Sequence, residues 1–128
     1  MSQLLIVDDE KNILKLYEKE FREEGYDVIV ATSGLEALQK LDKNPVDLVI
    51  LDIRMPELNG VDTLKKIMES PSKPPIILNS AYTSYKDNFL TWAAEAYVVK
   101  SSDLTELKTR TKEVLKKHSK ANEANEAS

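Results

Sequence analysis

Two short apolar runs in this sequence end in acids, and those acids are where chemistry is possible. Val46-Asp47-Leu48-Val49-Ile50-Leu51 leads into Asp52, and Leu4-Leu5-Ile6-Val7 leads into Asp8, Asp9 and Glu10. Runs this short and this rich in β-branched residues read as strands buried on both faces, the pattern of a parallel sheet. Open α/β sheets collect their ligands at the carboxyl edge of the strands. Asp8, Asp9 and Asp52 are therefore expected to meet at one edge. Carboxylates gathered this way repel one another unless a cation lies among their oxygens. The run Ile76-Ile77-Leu78-Asn79 adds Ser80 to the same edge, and Ala96-Tyr97-Val98-Val99 adds Lys100. The edge thus offers carboxylates, a hydroxyl and an ammonium.

The elements that must position these groups alternate along the chain. Strand-like runs lie near 3–7, 27–31, 46–51, 75–79 and 96–99, with helix-like segments near 10–24, 33–42, 60–69, 85–94 and 103–118. Ile13, Leu14, Tyr17 and Phe21 recur on one helical face, and Gly25 closes that helix. Ser33-Gly34-Leu35-Glu36 has the form of a capping box. Asp103-Leu104-Thr105-Glu106 opens the last helix, with Leu104, Leu107, Val114 and Leu115 on its inner stripe. Strict alternation with short connections implies right-handed βαβ crossovers and a parallel sheet covered on both sides. The expected fold class is a flavodoxin-like, doubly wound α/β sheet of five strands in the order 2-1-3-4-5 with five helices. Its switch point lies between strands 1 and 3, the two that end in acids. The domain is expected over 1–118, with 119–128 a polar stretch read as a frayed helix end or a disordered tail.

Composition narrows the classes. Eighteen basic and 22 acidic residues leave a net charge of −4, which argues against direct nucleic-acid binding. The absence of cysteine excludes disulfides and thiol chemistry and fits a reducing compartment. The sequence contains no run of the length a membrane span needs, and Met1-Ser2-Gln3 leads straight into the first strand. The expectation is a cytoplasmic protein without a membrane partner.

Five pieces in this order and spacing carry a family resemblance: Ile6-Val7-Asp8-Asp9-Glu10, Leu51-Asp52-Ile53-Arg54-Met55-Pro56, Gly60, Asn79-Ser80-Ala81 and Tyr97-Val98-Val99-Lys100. Over residues 3–117 the chain resembles a receiver domain of two-component response regulators, of the single-domain, chemotaxis-regulator-like kind. The resemblance implies that Asp52 accepts a phosphoryl group from a sensor histidine kinase or phosphotransfer protein. It implies Mg²⁺ as cofactor, held by Asp9, Asp52 and the backbone carbonyl of Arg54, with Asp8 assisting directly or through water. Ser80 and Lys100 would bond the phosphoryl oxygens. Ser80 and Tyr97 would act as the switch, changing the surface of the fourth and fifth predicted helices and the fifth strand for a downstream partner. A monomer or a phosphorylation-dependent dimer is expected. The chemistry is coherent on its own terms, because a carboxylate attacking phosphate is one anion approaching another, and a bridging divalent ion removes that repulsion. Three aspartates set against Mg²⁺ and Lys100 are neutral until a phosphoryl group arrives.

The match departs in places. Ser101 follows the lysine where the family usually has proline after a bond that is commonly cis; a cis bond here would cost about 3 kcal/mol. The segment carrying Tyr82, Tyr85, Phe89 and Trp92 is unusually aromatic and reads either as mostly core filling or as in part a partner surface. Arg54 and Tyr82, each two residues past a site residue, are large and are expected to slow hydrolysis of the phosphoryl group by shielding it from water. Competing functions fare worse. An aspartyl phosphatase needs a second aspartate two residues after the nucleophile, where Arg54 stands, so a turnover enzyme is not expected. A nucleotide- or flavin-binding domain would need a glycine-rich loop after strand 1. A phosphate-independent scaffold would not need the intact acids and lysine.

Overall fold

The computed structural model describes residues 2–52, 60–71, 73–81 and 94–127. Five parallel strands, β1 (Gln3–Val7), β2 (Asp27–Ala31), β3 (Leu48–Leu51), β4 (Ile76–Ser80) and β5 (Ala96–Val99), pair in the order β2-β1-β3-β4-β5. This is the order expected from the alternation of elements. Four helices are described: α1 (Lys11–Glu23), α2 (Gly34–Lys43), α3 (Gly60–Glu69) and α4 (Thr105–Ala127). The predicted helix 85–94 falls, up to residue 93, outside the described residues, and so do Tyr82, Tyr85, Phe89 and Trp92. α4 runs past the expected end at 118, the polar residues to Ala127 being helical backbone.

Strand alternation sorts the core into two layers. Leu4, Ile6, Leu48, Ile50, Ile77 and Val98 pack with Leu14, Tyr17 and Phe21 of α1 and Leu107 and Val114 of α4. Leu5, Val7, Val49, Leu51, Ile76 and Leu78 pack on the other side with Ala37 and Leu41 of α2 and Leu64 and Ile67 of α3. Successive side chains on a strand point to opposite faces, so a sheet with helices on both sides needs apolar residues at every position. That is why the strands read as unbroken apolar runs.

Local chemistry fixes the helix ends. Gly25 takes φ +99° after α1, its N–H donates to Arg22 O at 3.0 Å, and Tyr26 N–H donates to Phe21 O at 3.2 Å. These are the two bonds of a Schellman motif, and the Phe21 and Tyr26 rings make its hydrophobic contact at a centroid distance of 6.1 Å. At the start of α2 the Ser33 hydroxyl accepts from Glu36 N–H at 3.2 Å, as the capping pattern requires. The Glu36 carboxylate instead accepts from the Thr32 hydroxyl at 3.3 Å.

Candidate functional site

The acids and the lysine stand one residue past the ends of their strands, where backbone hydrogen bonds still hold them. Asp8 N–H donates to Ala31 O and Asp52 N–H to Val7 O, each at 3.1 Å, while Lys100 N–H donates to Ser80 O at 2.8 Å. The sheet thereby delivers three side chains to one carboxyl edge with little backbone freedom. Lys100 Nζ lies 2.7 Å from Asp8 Oδ2 and 2.8 Å from Asp52 Oδ2. Asp8 is 1% and Asp52 5% exposed, whereas Asp9 faces solvent. Asp8 Oδ1 accepts from Glu10 N–H at 2.9 Å, which fixes its rotamer.

One carboxylate oxygen from each of Asp8, Asp9 and Asp52 falls within 4.8 Å of the others. Among the described residues, three carboxylates beside one ammonium leave two negative charges, the deficit a divalent cation would fill. The electrostatics carry the same message. Burial drives the Asp8 carboxyl above the ordinary carboxylate range; Lys100 pulls it back only in part, and the Asp52 charge adds to the rise. Burial pulls the Lys100 ammonium down, yet hydrogen bonds to Asp52 and Asp8 outweigh it and hold the group well above an ordinary lysine. Lys100 stays charged between the two buried acids. Oxygen ligands at this spacing, two buried and one open to water, fit a small hard ion that keeps part of its hydration.

Ser80, the last residue of β4, is fully buried. Val99 pairs with Ser80 and Tyr97 with Leu78, so Ser80 and Tyr97 are diagonal neighbours on one face of adjacent strands. Tyr97 is partly buried and packs against the α2–α3 layer. The expected carbonyl ligand at Arg54 and the shielding side chains of Arg54 and Tyr82 lie outside the described residues. The Lys100–Ser101 peptide bond is trans, as is every bond among the described residues. His118 is remote from the acids, bonded to Glu95 at 2.9 Å.

Sequence reasoning missed one buried polar contact beside the site. Asn79 Nδ2 donates to the Tyr17 hydroxyl at 2.9 Å. Its signal was an amide at a strand position whose alternation faces the α1 side, opposite an inward tyrosine.

The sequence pattern described as the response regulator receiver domain matches residues 4–112. The chain belongs to the response-regulator receiver family. This receiver is 42% identical over 127 residues to the response regulator SaeR of Staphylococcus epidermidis, across 98% of the chain and 55% of SaeR. It thus spans about half the length of SaeR. Among solved structures, TrrA of Thermotoga maritima in complex with Mg²⁺-BeF is 43% identical with a TM-score of 0.84, covering 89% of this receiver and 99% of TrrA. TrrA in complex with the histidine kinase ThkA superposes with a TM-score of 0.83 at 43% identity, covering 90% and 99%. Among the described residues of this receiver no helix is long and apolar enough to cross a membrane.

Proposed function

We propose that this receiver takes a phosphoryl group on Asp52 and signals through the change that follows. The observation that carries the reading is a nearly buried Asp52 held 2.8 Å from Lys100 within a triad of carboxylates. A carboxylate oxygen of Asp52 forms the new bond to phosphorus. The phosphorus–nitrogen bond of a phosphohistidine on a sensor kinase or phosphotransfer protein breaks, and its electron pair returns to the imidazole. Mg²⁺, bound by Asp8, Asp9, Asp52 and the Arg54 carbonyl, would screen the charge between the carboxylate and the incoming phosphoryl oxygens. Lys100 already spans Asp8 and Asp52 and, as a compact point charge on a flexible stem, turns toward a phosphoryl oxygen without moving its backbone. The Ser80 hydroxyl donates to a second phosphoryl oxygen, and Tyr97, its diagonal neighbour, responds. Arg54 and Tyr82 shield the product from water.

The complex of TrrA with ThkA supports a histidine kinase as donor, and the Mg²⁺-BeF complex supports the metal. The receiver unit spans 1–118, with 119–128 a polar extension, and acts as a switch in the cytoplasm, with no turnover chemistry of its own. Its output is a downstream protein that binds the altered surface of the predicted helix 85–94, β5 and α4, with the chain a monomer or a dimer on phosphorylation.

The test is intact-mass analysis after incubation with Mg²⁺ and a small phosphoryl donor, with Trp92 fluorescence followed in parallel. One phosphoryl group per wild-type chain and none on Asp52→Asn is the expected result. Uptake by Asp52→Asn, or none by wild type, refutes the assignment.

A further inference from the structure

Asn79 is an amide where β4 should present an apolar side chain. Ile77, two residues earlier on the same face, packs in the α1–α4 layer. Asn79 is 2% exposed and gives its Nδ2 hydrogen to Tyr17 Oη at 2.9 Å. Tyr17 is 4% exposed and stands edge-on to Phe21, with ring centroids 6.4 Å apart. Residue 79 immediately precedes Ser80, whose carbonyl accepts the Lys100 N–H at 2.8 Å. The contact therefore ties α1, the helix that follows Asp8 and Asp9, to the β4 end that carries Ser80 and holds the Lys100 backbone.

Side chains leave a space beside that strand end on the α1–α4 side. A cavity of about 140 Å³ borders Tyr17 and Asn79, and Val98, Val99, Ser101 and Leu104 form much of its remaining wall. Beside such a space, the hydrogen bond adds a directional restraint to the backbone bonds of the sheet. An apolar side chain would avoid the desolvation of a buried amide but would supply no directional hold.

We infer that Tyr17 and Asn79 are a positioning pair for phosphoryl transfer, fixing from the α1–α4 side the β4 end through which Ser80 and Lys100 are placed. The inference rests on Asp52 as the acceptor. Neither residue touches the phosphoryl group.

Three variants separate positioning from plain stability: Tyr17→Phe, Asn79→Leu and the two together. Each single change leaves one buried polar group unpaired and lowers the melting midpoint, whereas the double change removes both groups and recovers it. If the pair only stabilises the fold, the rate of phosphoryl uptake from a small donor recovers with the midpoint. The expected result is that the double variant takes up phosphoryl groups more than about threefold slower than wild type, well below its midpoint, since small misplacements of reacting groups cost rate steeply. Its Mg²⁺ affinity should match wild type, because Asp8, Asp9 and Asp52 are untouched. A smaller rate change, or a rate loss matched by weaker Mg²⁺ binding, overturns the inference. Should the double variant not fold, Tyr17→Phe, which keeps the ring, decides by the same threshold. A wild-type chain that takes no phosphoryl group refutes instead the acceptor assignment on which the pair depends.

Discussion

Replacing Lys100 with methionine removes the cation that holds the metal-free site together. Lys100 Nζ contacts Asp8 and Asp52 at 2.7 and 2.8 Å, and both carboxylates are more than nine-tenths buried. Their oxygens lie within 4.8 Å of each other, so their mutual repulsion is about 3.5 kcal/mol at an effective dielectric of about 20. In wild type Lys100 offsets it; in Lys100→Met that offset is lost. Breaking a buried pair by removing one partner costs about 3–5 kcal/mol. The loss is capped because Asp8, whose carboxyl already sits above the ordinary range, takes up a proton instead of remaining charged. At roughly 4 °C per kcal/mol for a domain of this size, the midpoint should fall by about 12–20 °C in EDTA. Mg²⁺ at about 100 times its Kd returns about 2.7 kcal/mol. It should raise the midpoint of the variant more than that of wild type, because the variant site is the more negative. Thermal unfolding followed by circular dichroism, with EDTA and with Mg²⁺, measures both effects. A Lys100→Met chain that melts within about 3 °C of wild type in EDTA would show that the buried carboxylates are compensated by something other than Lys100.

Further outcomes follow from other parts of the chain. Gly25→Ala should cost about 1–2 kcal/mol in urea unfolding with an unchanged denaturant slope, since φ is +99° and an added Cβ meets nothing within 4 Å; the cost is backbone strain alone. Burial of Glu95 opposes its charge, but hydrogen bonds from His118 and Lys117 win and hold its carboxyl below 4.5. A lowered carboxyl contributes stability that is complete above that value and is lost as pH falls through the folded-state value. Glu95→Gln should therefore flatten part of the acid limb of the pH–stability curve, modestly, because Lys117 is largely exposed; an identical acid limb in the variant contradicts the ion pairs. Arg54→Asn combined with Tyr82→Ala should shorten the half-life of the phosphoryl group on Asp52, read by the decay of the phosphorylated mass, and an unchanged half-life removes the shielding role.

Much of this receiver is legible in its sequence because its signals are local. Unbroken apolar strands, amphipathic helices and punctuating residues such as Gly25 and Ser33 act within a few neighbours, and periodicity reports them directly. The acids and the lysine are legible for the same reason: each closes an apolar run, and a parallel sheet sends every such end to one edge. The family resemblance then gave these residues roles that spacing alone could not.

Other features depended on contacts between residues far apart in the chain. The sequence presents Asp8 and Asp9 as near equals, yet Asp8 is buried against Lys100 while Asp9 faces solvent. Side chains of adjacent residues at a strand end diverge, and only the packed sheet decides which one enters the core. The bond between Tyr17 and Asn79 spans 62 residues, and no local pattern encodes it. Sequence determined which residues reach the edge, because strand period and run ends are properties of the chain itself. Tertiary structure decided which of them share a charge, because burial and Coulomb forces act through the space that folding creates.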